Sequence, residues 1–142
     1  MSVENLFLAA NSSAALGWVL LVLLPKLKLT RLVITKGALP LLFAIAYTLI
    51  IVLYFAQSEG NFNSLAGVMQ LFQNKYAVLA GWLHYLAFDM LIGIWMVENA
   101  RQLSIPHLYI IPALVLTFFF GPAGFLVYLG TRKLLTMNSA KK

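Results

Sequence analysis

Acids are the scarcest class in this chain, and one of them stands where a charge is most costly. Asp89 lies between Phe88 and Met90 in a long apolar run. A carboxylate at the centre of a bilayer costs about 2.5–3.5 kcal/mol on insertion scales. It must face a protein interior, find a partner or stay protonated. In a greasy pocket such a carboxyl group is a candidate proton donor, so the chemistry on offer is acid–base work. Helical spacing puts Trp82, Tyr85 and Gly93 on the same side as Asp89. Gly93 would leave room there for a neighbour or a ligand. His84 precedes Asp89 by five positions, a rotation of roughly 140°, so the two do not point the same way. They could still flank one pocket from its two edges. Asp89, His84 and Tyr85 are therefore the candidate catalytic groups. The competing reading of Asp89 is a buried hydrogen bond that ties helices together.

A second polar group sits further along. Glu98 precedes Arg101 by three positions, the spacing of a helical ion pair. Together with His107 they form a polar cluster at one membrane surface, read either as surface pairing or as the mouth of an internal pocket. Pro106 suits the first turn of the helix that His107 opens. Either histidine could equally bond a headgroup or another helix. A metal held by His84, Asp89 and His107 is conceivable, but no ligand spacing supports one, and no metal or cofactor is expected. The last apolar segment contains Pro112 and Pro122, which free the carbonyls of Leu108 and Phe118. Gly121, Pro122 and Gly124 should kink or open that helix, and Thr117 could satisfy a freed carbonyl. Trp82, Gly93, Trp95, Thr117, Phe120 and Gly121 are the candidate pocket residues. No phosphate-binding glycine loop, GxSxG, HExxH or CxxC motif is present.

The elements that must position these groups follow from composition. Of 142 residues, 62% are hydrophobic and only 10% charged. Fourteen charges do not cover the surface of a soluble domain, and a free nucleic-acid binder is excluded as well. There is no cysteine, which removes disulfides, thiolate metal sites and a catalytic thiol. Four apolar windows, about 6–24, 38–56, 76–97 and 108–129, are long enough to be read as spanning helices. They are continuous runs and lack the alternation of barrel strands. The expected fold is all-α: a polytopic membrane protein, one domain over 1–142, built as a four-transmembrane-helix bundle. Between helices 2 and 3, Leu65, Val68, Met69 and Phe72 form an apolar stripe after Ser64, a plausible N-cap. This predicts a short interfacial helix, or a loop with one helical turn.

The net charge of +6 comes from ten Lys/Arg against four acids. With four spans, Lys26, Lys28, Arg31, Lys36 and Arg101 fall on one side. Lys75, Arg132, Lys133, Lys141 and Lys142 fall on the other. Five against five sets no orientation. The first loop argues for an outside N-terminus and the C-terminal cluster argues the reverse. Two basic collars suited to anionic headgroups are the reading of this charge.

Several stretches together carry a resemblance. They are Gly81-Trp82-Leu83-His84-Tyr85-Leu86-Ala87-Phe88-Asp89, Arg101, Ile105-Pro106-His107, Pro112, Leu116-Thr117, Phe120-Gly121-Pro122-Ala123-Gly124, Tyr128 and Arg132. This ordered series resembles the abscisic-acid-deficient-four-like family of small membrane proteins. Its plant members are chloroplast membrane proteins required for making neoxanthin from violaxanthin. The first two helices match in character only. The resemblance implies carotenoid or isoprenoid handling. Turning an epoxide into an allenic alcohol is an isomerisation that needs an acid and a base and no redox cofactor. Asp89 as acid and His84 as base is the matching assignment. The chain opens on its first helix without a Ser/Arg-rich leader, which points to a bacterial inner-membrane member or a mature form.

The leading expectation is thus an intramembrane isomerase, or an accessory to one, acting on a polyene or isoprenoid. The alternatives are a non-enzymatic pigment- or lipid-binding scaffold lined by aromatic side chains, and a small proton-coupled transporter. Expected partners are membrane lipids and a carotenoid or isoprenoid substrate, with no nucleic acid; a homo-oligomer is compatible with the sequence.

Overall fold

The computed structural model describes residues 2–139. Lys141 and Lys142, counted in the charge argument above, lie outside the described residues. The described chain is all-helical: α1 (Val3–Leu23), α2 (Ala38–Tyr54), α3 (Leu65–Leu71), α4 (Lys75–Gln102) and α5 (Ile111–Ser139). α1, α4 and the His107–Met137 stretch are long and apolar enough to cross a membrane; α2, with 17 residues, is a shorter apolar helix.

Each start has a local cause. Ser2 accepts a hydrogen bond from the Asn5 amide at 3.1 Å and caps α1. Pro25 follows the end of that helix. A π-helical turn, Thr30–Thr35, leads to Gly37, whose φ of 81° is left-handed and costs glycine little. Ser64 caps α3 by accepting from the Gly67 amide at 3.0 Å, as its position suggested. Asn74 caps α4 by accepting from the amides of Tyr76 and Ala77 at 2.8 and 3.4 Å. Of the stripe predicted on α3, Leu65, Met69 and Phe72 are exposed and Val68 is half-buried, while Gly67 and Leu71 are buried. An outward apolar stripe is what a lipid-contacting helix needs.

The contacts along α4 give the order of packing. Phe7 and Asn11 of α1 meet Trp82, and Trp18 and Leu21 meet Gly93, so α1 runs parallel to α4. Tyr54 stacks on Tyr76 at 3.9 Å and Tyr47 packs edge-on to His84, so α2 runs antiparallel. The buried core (Leu21, Ile34, Leu83, Met90, Met96 and Leu114 among others) lies where these helices meet.

α5 breaks where Gly121 and Pro122 were expected to kink it, but the break is deeper than a kink within one span. Phe120 and Gly121 have non-helical backbone angles, and Pro122 follows them. The first limb, 111–119, descends along α4 until Gly121 reaches Asp89. The second limb, 122–139, climbs back. Phe125 and Tyr128 pack on Trp95, and Tyr128 and Arg132 both donate to the Asn99 side chain. Leu135 and Thr136 then lie beside Leu103, Ser104 and Pro106, near where the first limb began. A methyl on Gly124 would collide with the hydroxyl and backbone of Thr117, which shows how closely the limbs approach. α5 is a helical hairpin whose tip stops halfway along α4.

This geometry revises the charge map. Arg132 and Lys133 join Lys26, Lys28, Arg31, Lys36 and Arg101 at one end of the bundle. Lys75, Glu4 and Glu59 belong to the other end, near α3. The even split expected for four straight spans gives way because the Gly121-Pro122 break turns the chain around.

Candidate functional site

The site is built by the hairpin tip against the middle of α4. Pro122 has no amide hydrogen to offer the Phe118 carbonyl. The Tyr85 hydroxyl supplies one instead, donating to Phe118 O at 2.9 Å. The freed carbonyl foreseen at Phe118 is thus satisfied from α4. Thr117, expected to serve such a carbonyl, donates to Ala113 O at 2.7 Å within its own limb and lies fully buried.

One turn along α4 from Tyr85 stands Asp89. A Cβ built on Gly121 would fall 2.5 Å from Asp89 Oδ1 and 2.8 Å from Oδ2. Only a glycine lets the tip backbone close over the carboxyl group. Asp89 Oδ2 is buried and has no hydrogen-bond partner among the described residues. A buried polar atom without a partner is costly and calls for an explanation. His84 and Tyr85 lie within electrostatic range of the carboxyl group.

Beneath the tip the first limb ends, and α1 and α4 continue with α2 packed on the other side of α4. The lower wall carries Trp82, whose indole donates to the Asn11 side chain at 3.0 Å and packs on Tyr85 and Phe7. Phe119 and Phe120 project from the tip and are 61% and 64% exposed. Around the tip, then, lie a buried carboxyl oxygen and the exposed rings of Trp82, Phe119 and Phe120.

The structure gathers Asp89, Tyr85, Trp82, Phe120 and Gly121 here. The remaining candidates go elsewhere. Gly93 offers no ligand space, because the Trp18 indole fills it: a Cβ there would fall 2.6 Å from Trp18 Cη2. Trp95 packs on Phe125 and Tyr128 against the second limb. His84 turns to the α2 side, edge-on to Tyr47 and stacked on Phe88 at 4.6 Å. It lines a separate cavity of about 130 Å³ with Ile51, Phe72 and Gly81. Its divergence follows from the five-residue offset. Glu98 and Arg101 form the expected ion pair at 2.6 Å. His107 Nε2 lies 2.9 Å from the Val22 carbonyl at the same end of the bundle. His84, Asp89 and His107 therefore do not converge, and no three metal-type ligands come together among the described residues.

Three contributors were not singled out from the sequence: Asn11, which anchors Trp82; the Phe118 carbonyl as the Tyr85 acceptor; and Asn99, which collects Tyr128 and Arg132. Asn99 carried a signal, since Tyr128 and Arg132 are spaced by one helical turn and both seek an acceptor.

An all-helical bundle with spanning-length apolar helices and a carboxyl group held under the hairpin tip has membrane character and an internal acid. The family described as ABA DEFICIENT 4-like matches residues 5–128. The chain belongs to that family, and its apolar helices support membrane association. Neither a curated protein nor a solved structure matches it.

Proposed function

We propose that this protein is an integral membrane isomerase that uses the Asp89 carboxyl group on an oxygen-bearing polyene or isoprenoid lipid. The observation that carries this reading is the unpaired Asp89 oxygen beneath the Gly121 tip, with the exposed rings of Trp82, Phe119 and Phe120 beside it. In this reading a membrane-dissolved substrate reaches the carboxyl group laterally past these rings, through a notch beside the tip. Family membership supports a carotenoid-like substrate. The neutral Asp89 carboxyl donates its proton to an epoxide oxygen, and the carbon–oxygen bond opens. The resulting carboxylate then removes a proton from the adjoining carbon. The atoms balance, Asp89 is regenerated, and no electron leaves the substrate. His84, on the α2 side, is not needed as the base. Tyr85 holds the tip, its hydrogen committed to Phe118. Trp82 and Phe120 supply apolar contact to a rigid chain.

In this reading α1, α2 and α4 cross the bilayer, and α5 enters and leaves on one face in place of a fourth crossing. Irregular backbone at membrane depth is tolerated where protein buries it, which Tyr85 and Asp89 do for the tip. α3 lies in the opposite interface. The basic end faces the cytoplasm by the positive-inside rule, in a bacterial inner membrane, with the N-terminus outside. The test is product formation in a polyene-accumulating host expressing the wild-type chain or Asp89→Asn. Loss of product with the variant still folded supports the proposal, and undiminished product refutes it.

A further inference from the structure

The basic end of the bundle holds a larger cavity, of about 670 Å³, that the notch does not use. It lies between the turn after α1, the end of α4 and the start of α5. Lys26, Arg31, Arg101 and His107 contribute to its wall, with Thr35 adding a hydroxyl. Glu98 is its one acid, and Arg101 already holds that carboxylate at 2.6 Å. Lys26 and Arg31 have no carboxylate partner among the described residues. Apart from Ser104, the rest of the wall, including Val97, Ile105 and Ile110, is apolar. A cationic rim over an apolar wall matches an anionic head on a greasy stem. Glu98 stands nine positions beyond Asp89 on α4, so the two sites are roughly 14 Å apart along the helix axis.

We propose that this cavity binds the phosphate headgroup of an anionic membrane lipid, with Lys26 and Arg31 as the principal contacts. The hairpin also brings Arg132 and Lys133 to the same end, outside the cavity wall. Guanidinium suits phosphate oxygens through paired donors, and a lysine adds a point charge. The proposal is independent of the isomerase reading, since it concerns a different cavity and needs no chemistry at Asp89.

The test is native mass spectrometry of the full chain in mild detergent, titrated with phosphatidylglycerol or with phosphatidylcholine of the same acyl chains. The expected result is selective retention of one phosphatidylglycerol. The Lys26→Gln/Arg31→Gln pair should weaken it about thirtyfold, since each surface cation contributes roughly a factor of five. Both residues are exposed, so the fold should survive. Lys133→Gln, on the same end but outside the cavity wall, should change binding less than about twofold. Equal retention of the two lipids overturns the proposal, as does an undiminished phosphatidylglycerol affinity in the double variant. Inorganic phosphate is the remaining arm: no displacement of the lipid supports a lipid source, while displacement at comparable concentration overturns it in favour of a soluble phosphate.

Discussion

Gly121 closes over Asp89 so tightly that a single added methyl would fall 2.5 Å from the carboxylate Oδ1. The tip and the acid are therefore one structural unit. Gly121→Ala should destabilise the protein by about 1–3 kcal/mol, the usual cost of overpacking. Thermal unfolding in detergent reads this out. Because the clash is with the carboxyl group, Asp89→Ala should relieve part of it. A double-mutant cycle should give a coupling of at least about 1 kcal/mol. Additive effects would mean that the tip does not rest on Asp89.

Tyr85→Phe removes the donor that serves the Phe118 carbonyl. An unsatisfied buried acceptor costs about 1–3 kcal/mol, so the variant should unfold at a lower temperature. An unchanged melting temperature would show that something else satisfies that carbonyl.

Gly93→Ala should be destabilising for a different reason, since its methyl would press on the Trp18 ring, 2.6 Å from Cη2. A loss of roughly 1–3 kcal/mol is expected. Trp18→Phe, which shortens the ring, should recover part of that loss in the same melting assay.

The hairpin makes a topological prediction that needs no chemistry. The absence of cysteine allows single-cysteine labelling without background. Lys28→Cys and Lys133→Cys should react with an impermeant reagent from the same side of a vesicle. Glu59→Cys should react from the other. Labelling of Lys28→Cys and Lys133→Cys from opposite sides would mean that α5 crosses as one span.

What was legible in the sequence was mostly local. Apolar runs marked the long helices, Ser64 announced its cap, and Glu98 and Arg101 announced their pair. Asp89 stood out because charge is expensive in hydrocarbon. Pro122 and Gly121 announced a break at the right place. The depth of the break was not legible. Whether a Gly-Pro pair bends a helix or reverses it depends on what receives the tip. Here that is Tyr85 and Asp89, some thirty residues earlier in the chain. The fate of Gly93 was hidden for the same reason: the space beside a glycine belongs to whichever neighbour packs there, and Trp18 arrives from another helix. The charge count misled because it assumed that α5 crosses as a single span.

The central claim is that the Asp89 carboxyl group moves the proton. The direct measurement compares wild type, Asp89→Asn and His84→Ala for conversion of an epoxide-bearing polyene in membranes, with the folded amount of each normalised by its elution profile. The asparagine keeps the shape beneath Gly121 but donates no comparable proton. Asp89→Asn should lower conversion by about 10²–10⁴-fold, the usual worth of a positioned acid–base group, while still retaining bound polyene. His84→Ala should lose less than about tenfold, as a residue outside the notch. Full conversion by folded Asp89→Asn would contradict the account and leave the notch as a binding site without chemistry.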